Sequence, residues 1–177
     1  PSAPVVSQQA FFGDLHVHSR WSFDAYSMGV RVGPEDAYRY ARGEAIPHIG
    51  GGTVQLGGPP LDFMALTEHG AYMGVSATVD DPSHPMRKLP LIRDLTSTDP
   101  ATRGRAIGDF LSSLGSGDAI EALTGDEFVK PTWQRIVELA DRNDAPGEFT
   151  AFVAYEYPTM PKGQNLDRNG SFRGSRV

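Results

Sequence analysis

At 177 residues, 39% hydrophobic and 21% charged, the chain has the composition of one globular domain rather than of a disordered or fibrous protein. A net charge of -6 argues against general nucleic-acid binding, which calls for a basic face. The chain has no cysteine, which excludes disulfides and thiolate ligands, so any metal must be held by His, Asp and Glu. No apolar run approaches the roughly 20 residues of a spanning helix, so no membrane insertion is expected.

Residues 1–10 (PSAPVVSQQA) read as a flexible tail, and residues 11–177 as one domain. Removal of a secretory signal leaves an end of this kind, as trimming also would, and favours a periplasmic or secreted location over a cytoplasmic one. Residues 10–18 (AFFGDLHVH) alternate and predict a strand that ends at two histidines. A loop follows. Pro34-Glu35-Asp36 then opens a helix to about Arg42, with proline in the first turn and acids at the positive end of the dipole. Residues 43–60 hold a glycine cluster and Pro59-Pro60, which predict a loop with a short hairpin around Thr53–Leu56.

Leu61–Thr67 is a second short apolar run, a buried strand that ends at Glu68-His69. Helical spacing recurs over Leu89–Leu95, Arg103–Leu114 and Glu127–Asn143, and in the last of these Trp133, Ile136, Val137 and Ala140 share one face. Tyr38, Tyr40, Phe110 and Trp133 are expected in the core. Phe149–Tyr155 is a third strand, followed by Glu156 and a polar loop containing Asn165-Leu166-Asp167-Arg168-Asn169. Strands alternating with helices in this order predict an α/β fold with a parallel sheet, barrel or layered. Such folds place ligands at the C-terminal ends of their strands.

All three predicted strand ends carry ionisable side chains. Residues two apart on a strand point the same way, so His16 and His18 can face one ion, and Asp14 shares their parity as a ligand or as an orienting partner. Asp24 follows six residues after His18 in a loop able to fold back over the site. His69 and Glu156 converge there if the three strands are neighbours. A lone His-x-His is a weak signal, but three of the five histidines at strand ends make a stronger one. Glu68 is open between a ligand and an acid beside His69. His48 and His84, flanked by prolines and loop residues, read as loop histidines. Two histidines with two carboxylates suit a site of two or three divalent ions, in which a shared water becomes hydroxide near neutral pH.

Phe12-Gly13-Asp14-Leu15-His16-Val17-His18-Ser19 with Ser22-Phe23-Asp24 resembles the first motif of the PHP (polymerase and histidinol phosphatase) superfamily. Leu61–His69 resembles its second, with Glu68 where an Asp is usual. The stretch Pro34–Glu44, Tyr155-Glu156 and Asn165–Asn169 are similar to a large uncharacterised branch of PHP-like proteins, the domain of unknown function 3604. The resemblance spans roughly residues 11–173. It implies a distorted seven-stranded (β/α)7 TIM-type barrel binding two or three divalent metals, zinc, manganese or iron, and hydrolysing a phosphate ester. It sets His16, His18 and Glu156 on one side and Asp24 and His69 on another. Relatives commonly carry His where this chain has Asp167, a carboxylate that still suits a hard cation such as manganese or magnesium. The later ligands of the family, a C-terminal Asp-x-His among them, are absent. The chain therefore looks like the N-terminal portion of the barrel, completed by a further segment or by an oligomer.

On this reading Asp24, His69 and Arg20 take part in catalysis, and His16, His18, Asp24, His69, Glu156 and Asp167 bind metal. The partner is a small phosphorylated substrate, for which Arg20 and Arg168 offer phosphate contacts. Two other readings stand beside it. One is hydrolysis of a C–N or carboxylic ester bond as in amidohydrolase-type barrels, which normally use a carbamylated lysine or a Glu at a later strand. It is weakened, though not excluded, because Lys130 and Lys162, the only lysines beyond residue 100, lie off the strand ends. The other is a shortened module that binds metal without activity of its own.

Overall fold

Strand β1 (Gly13–Val17) is the first regular element, and it pairs in parallel with β4 (Phe63–Leu66), which pairs in parallel with β5 (Thr150–Tyr157). The computed structural model describes residues 9–81, 83–116, 120–159, 162 and 164–175. Most of the tail expected over residues 1–10 lies outside them. The strand expected from residue 10 begins at Gly13, where Phe63 packs so closely that a Cβ would collide with its backbone and ring.

Two elements differ from the sequence-based expectation. The segment after His18 is not wholly loop: α1 (Phe23–Ser27) begins one residue before Asp24, docked by buried Phe23 and Ala25. The polar stretch after Glu156 is not wholly loop either. Arg168–Phe172 forms β6, antiparallel to β5, with Asn169 opposite Glu156. Its sequence, RNGSF, lacks alternation, so pairing rather than propensity makes it a strand. Gly170 is required there, because a Cβ would lie 2.9 Å from the Tyr155 ring.

The remaining elements follow the expected order. Helix α2 spans Pro34–Ala41, and a small hairpin pairs β2 (Ile46–Pro47) with β3 (Thr53–Val54). Its turn passes through Gly51 and Gly52, at φ of 92° and 74°, a region closed to most side chains. Helices α3 (Pro90–Leu95), α4 (Pro100–Ser116) and α5 (Asp126–Asn143) fill the segment between β4 and β5.

The sheet order is β1-β4-β5-β6, and the architecture is mixed α/β with a mixed sheet. No closed barrel forms among the described residues. The stretch from 158 to 167 is too short for the crossover of a dozen or more residues that a fourth parallel strand needs, so β6 turns back antiparallel. The sheet is nonetheless strongly curled. Three strand steps in a flat sheet would separate its edges by about 14 Å. Yet Asn169 Nδ2, on β6, donates to Leu15 O, on β1, across 3.0 Å.

One core lies between the sheet and helices α2 and α5, built from Tyr38, Ala41, Leu66, Leu139, Ala140 and Val153, with Trp133 and Val137 against it. Ile136 is buried on the same face of α5. A second core gathers Phe23, Val75, Met86, Ile92, Phe110 and Leu123 beneath α1, α3 and α4. Tyr40, expected in the core, is only half-buried.

Candidate metal centre

The C-terminal ends of β1, β4 and β5 meet at one point, because the parallel pairing continues past β4. Glu156 N–H donates to Glu68 O at 3.0 Å, and Gly70 N–H donates to Glu156 O at 2.7 Å. These two rungs set His69 beside Glu156. Gly70 must be small, since a Cβ there would lie 3.0 Å from Glu156 O and 3.2 Å from the Tyr155 ring. On β1 the strand parity turns His16 and the following His18 to the same side, and their Nε2 atoms stand 3.0 Å apart. Asp14, set off from them by a register shift between Asp14 and Val17, accepts the His16 backbone N–H at 3.0 Å and so orients the main chain rather than an imidazole.

Glu156 is the hub. It is 1% exposed, and its Oε1 lies 3.0 Å from His16 Nε2. Its Oε2 lies 3.1 Å from both His18 Nε2 and His69 Nε2. Those two contacts have the length of hydrogen bonds without the direction, for Glu156 Oε2 is a buried oxygen with no hydrogen-bond partner among the described residues. Leaving such an oxygen unsatisfied costs about 1–3 kcal/mol, and more for a charged group. Ligand atoms about 2.1 Å from an ion and at right angles to each other lie about 3.0 Å apart. The nitrogen and oxygen spacings of His16, His18 and Glu156 fit that separation, and an ion among them would satisfy the orphaned oxygen.

Asp24 closes the other side. Both its oxygens are 3.1 Å from His18 Nδ1, and Oδ2 is 3.5 Å from His69 Nε2. His16, His18 and Glu156 form one group able to hold a metal, and His18, Asp24 and His69 a second; within each, the ligand atoms lie within 4.8 Å of one another. His18 belongs to both groups, but an Nδ1–H donated to Asp24 leaves only Nε2 free to ligate, the arrangement that fixes an imidazole's tautomer. Burial draws the His18 pKa down, but the hydrogen bond to Asp24 and the charges of Asp24, Glu156 and Glu68 outweigh it, and the net shift is upward. Burial would raise the Asp24 pKa; hydrogen bonds from His18 and His69 reverse this and hold its carboxyl far below the usual carboxylate range.

The expected residues divide accordingly. His16, His18, Asp24, His69 and Glu156 come together. Asp167 does not join either group, and its Oδ2 accepts from Asn165 Nδ2 at 2.6 Å. Arg20 Nη1 donates to Arg31 O at 3.2 Å, and its guanidinium rests against Gly33. Arg168 is exposed and donates to Asp167 O. His48 and His84 accept backbone N–H groups of their own turns, from Gly50 and Met86.

Glu68 is 1% exposed and accepts hydrogen bonds from the Ser19 and Ser22 hydroxyls, so it is not a member of either ligand group. Burial pushes its pKa up, with those serine donors opposing. Ser19 and Ser22 stand in the motif that resembles the PHP superfamily, immediately after His18 and two residues before Asp24, but nothing in the sequence points to their bonds with Glu68.

Comparisons with curated proteins and with solved structures each return no match. A family model described as "Protein of unknown function (DUF3604)" matches residues 5–177, and the chain belongs to that family.

Proposed function

We propose that this chain carries the metal centre of a metal-dependent hydrolase acting on phosphate esters. The observation that carries the reading is Glu156, a buried carboxylate whose two oxygens face three imidazole Nε2 atoms at 3.0–3.1 Å, one of those oxygens having no hydrogen bond. His16, His18 and Glu156 would hold one divalent ion, and His69 and Asp24 a second. A donor set of imidazoles and carboxylates suits zinc, manganese or iron. Bound ions of this kind neutralise phosphate oxygens and lower the pKa of water to near neutrality.

The chain's own contribution is placement. Glu156 and His69 are held by the rungs between β4 and β5, and Asp14 pins the backbone at His16. Asp24 keeps the proton of His18 on Nδ1, so that Nε2 presents a lone pair. The curled sheet and the gathering of ligands at strand ends support a PHP-type barrel as the setting. An amidohydrolase-type centre with a lysine ligand finds no support, as Lys130 is tied to Asp126 on the exposed side of α5.

The test is His16→Ala with His18→Ala. The wild-type chain loaded with manganese or zinc is expected to retain metal through desalting and to turn over p-nitrophenyl phosphate, and the double variant to do neither. Metal and turnover retained in the double variant would overturn the proposal. Metal bound without turnover would reduce it to a binding module.

A further inference from the structure

Strand alternation separates Glu68 from the ligand next to it. Met64 and Leu66 face the helical core, and Glu68 continues that face, while His69 turns to the other. A carboxylate in that position is costly to bury unless its oxygens are satisfied. They are, and every donor comes from a segment that carries a ligand. Ser19, next to His18, donates both its hydroxyl and its backbone N–H, the latter at 3.2 Å to Oε2. Ser22 Oγ donates to Glu68 Oε2 at 2.6 Å while accepting the His69 N–H at 3.0 Å. Ser22 also begins the turn that holds Asp24, since its carbonyl accepts the Tyr26 N–H. Finally, Glu68 O accepts the Glu156 N–H at 3.0 Å.

One residue is thus bonded to the segments bearing His18, Asp24, His69 and Glu156. From this geometry we infer that Glu68 is a positioning residue which, through Ser22, holds the Asp24–His69 pair at its spacing from the His16–His18–Glu156 group. The inference rests on the metal-centre reading and adds a role that a buried hydrophobic residue of the same size could not fill. The asymmetry of the bonds decides which half depends on it. Ser22 Oγ accepts the His69 N–H, and the Ser22 carbonyl starts the turn that carries Asp24. His16 keeps an anchor of its own in Asp14, the rungs between β4 and β5 hold the backbone at Glu156, and His18 is tied to Glu68 only through its neighbour Ser19. Loss of the carboxylate should therefore weaken the second ion more than the first.

The experiment titrates Mn2+ into the wild-type chain and into Glu68→Gln and Ser22→Ala, following stepwise affinities by calorimetry and Mn2+ pairing by electron paramagnetic resonance. The wild type is expected to bind two ions and show a spin-coupled pair. In both variants the second ion should bind about 10–100-fold more weakly, the cost typical of losing a residue that orients ligands. The first should weaken less, and the coupled signal should give way to that of isolated ions. Equal weakening of both ions, or wild-type behaviour in both variants, would overturn the inference and leave the metal centre standing. A wild-type chain that binds no Mn2+ pair would overturn both. If Glu68→Gln does not fold, Ser22→Ala, which removes one oxygen, carries the test alone.

Discussion

At the scale of single residues, His18 and Asp24 make the centre sensitive to pH before any metal arrives. The His18 pKa is raised, so its contribution to stability is complete below about pH 6.5 and is lost as pH rises through the folded value. The Asp24 pKa is lowered, so its contribution is present above about pH 3.9 and is lost as pH falls. The metal-free chain should therefore draw most from the pair between about pH 4 and 6.5. Chemical denaturation of chelator-treated protein across pH checks this. Asp24→Asn should flatten the dependence, and an unchanged profile would refute it. Much of this residue pattern was legible in the sequence, because strand parity and strand-end position decide which way His16, His18, His69 and Glu156 point. Asp167 lies in neither ligand group, and Asn165 donates to its carboxylate, a contact that position in the motif does not reveal. The partners of Glu68 were hidden for a different reason: Ser19 and Ser22 lie 49 and 46 positions away in sequence, and only the fold joins them.

At the scale of elements, α1 matters beyond its five residues. A helix this short has no stability of its own and depends on what it packs against. Phe23 stacks on Phe110 of α4 with ring centroids 3.4 Å apart, and Phe110 is fully buried against Tyr72 as well. Asp24 is the next residue along, so the second core fixes the position of a proposed metal ligand. Phe110→Ala should cost about 3–5 kcal/mol of stability, measurable by denaturant titration. It should also weaken metal binding at Asp24 and His69 ahead of binding at His16. A loss of stability with both affinities unchanged would separate α4 from the site. The long helices were readable from their apolar spacing, α5 above all, where Ile136 and Ala140 are buried on the predicted face. Helix α1 and strand β6 were not, since five residues are too few for a period to emerge. RNGSF becomes a strand only because β5 offers it an edge.

At the scale of the whole molecule, the exposed flank of β1 is the least settled surface. Leu15 is 52% exposed on β1 at the sheet's edge, and Phe12, just before the strand, is 70% exposed, features that invite pairing with another chain. The chain should self-associate with rising concentration, and Leu15→Lys should reduce this in size-exclusion chromatography. Equal elution of both proteins at all concentrations would show that the edge is harmless. The parallel order of β1, β4 and β5 was legible from the alternation of strands and helices. The end of the parallel order at β6 was not, because β6 reverses direction over too short a connection. The rungs beyond β4 have a consequence for the thermodynamics of ion capture. Ordering a residue's backbone costs about 1–2 kcal/mol of conformational entropy. At His69 and Glu156 that ordering is complete once β4 and β5 have paired, since the Gly70 and Glu156 amides are already bonded across the gap. An arriving ion then has only side-chain rotamers left to restrict there, and more of its interaction with the ligands remains as affinity.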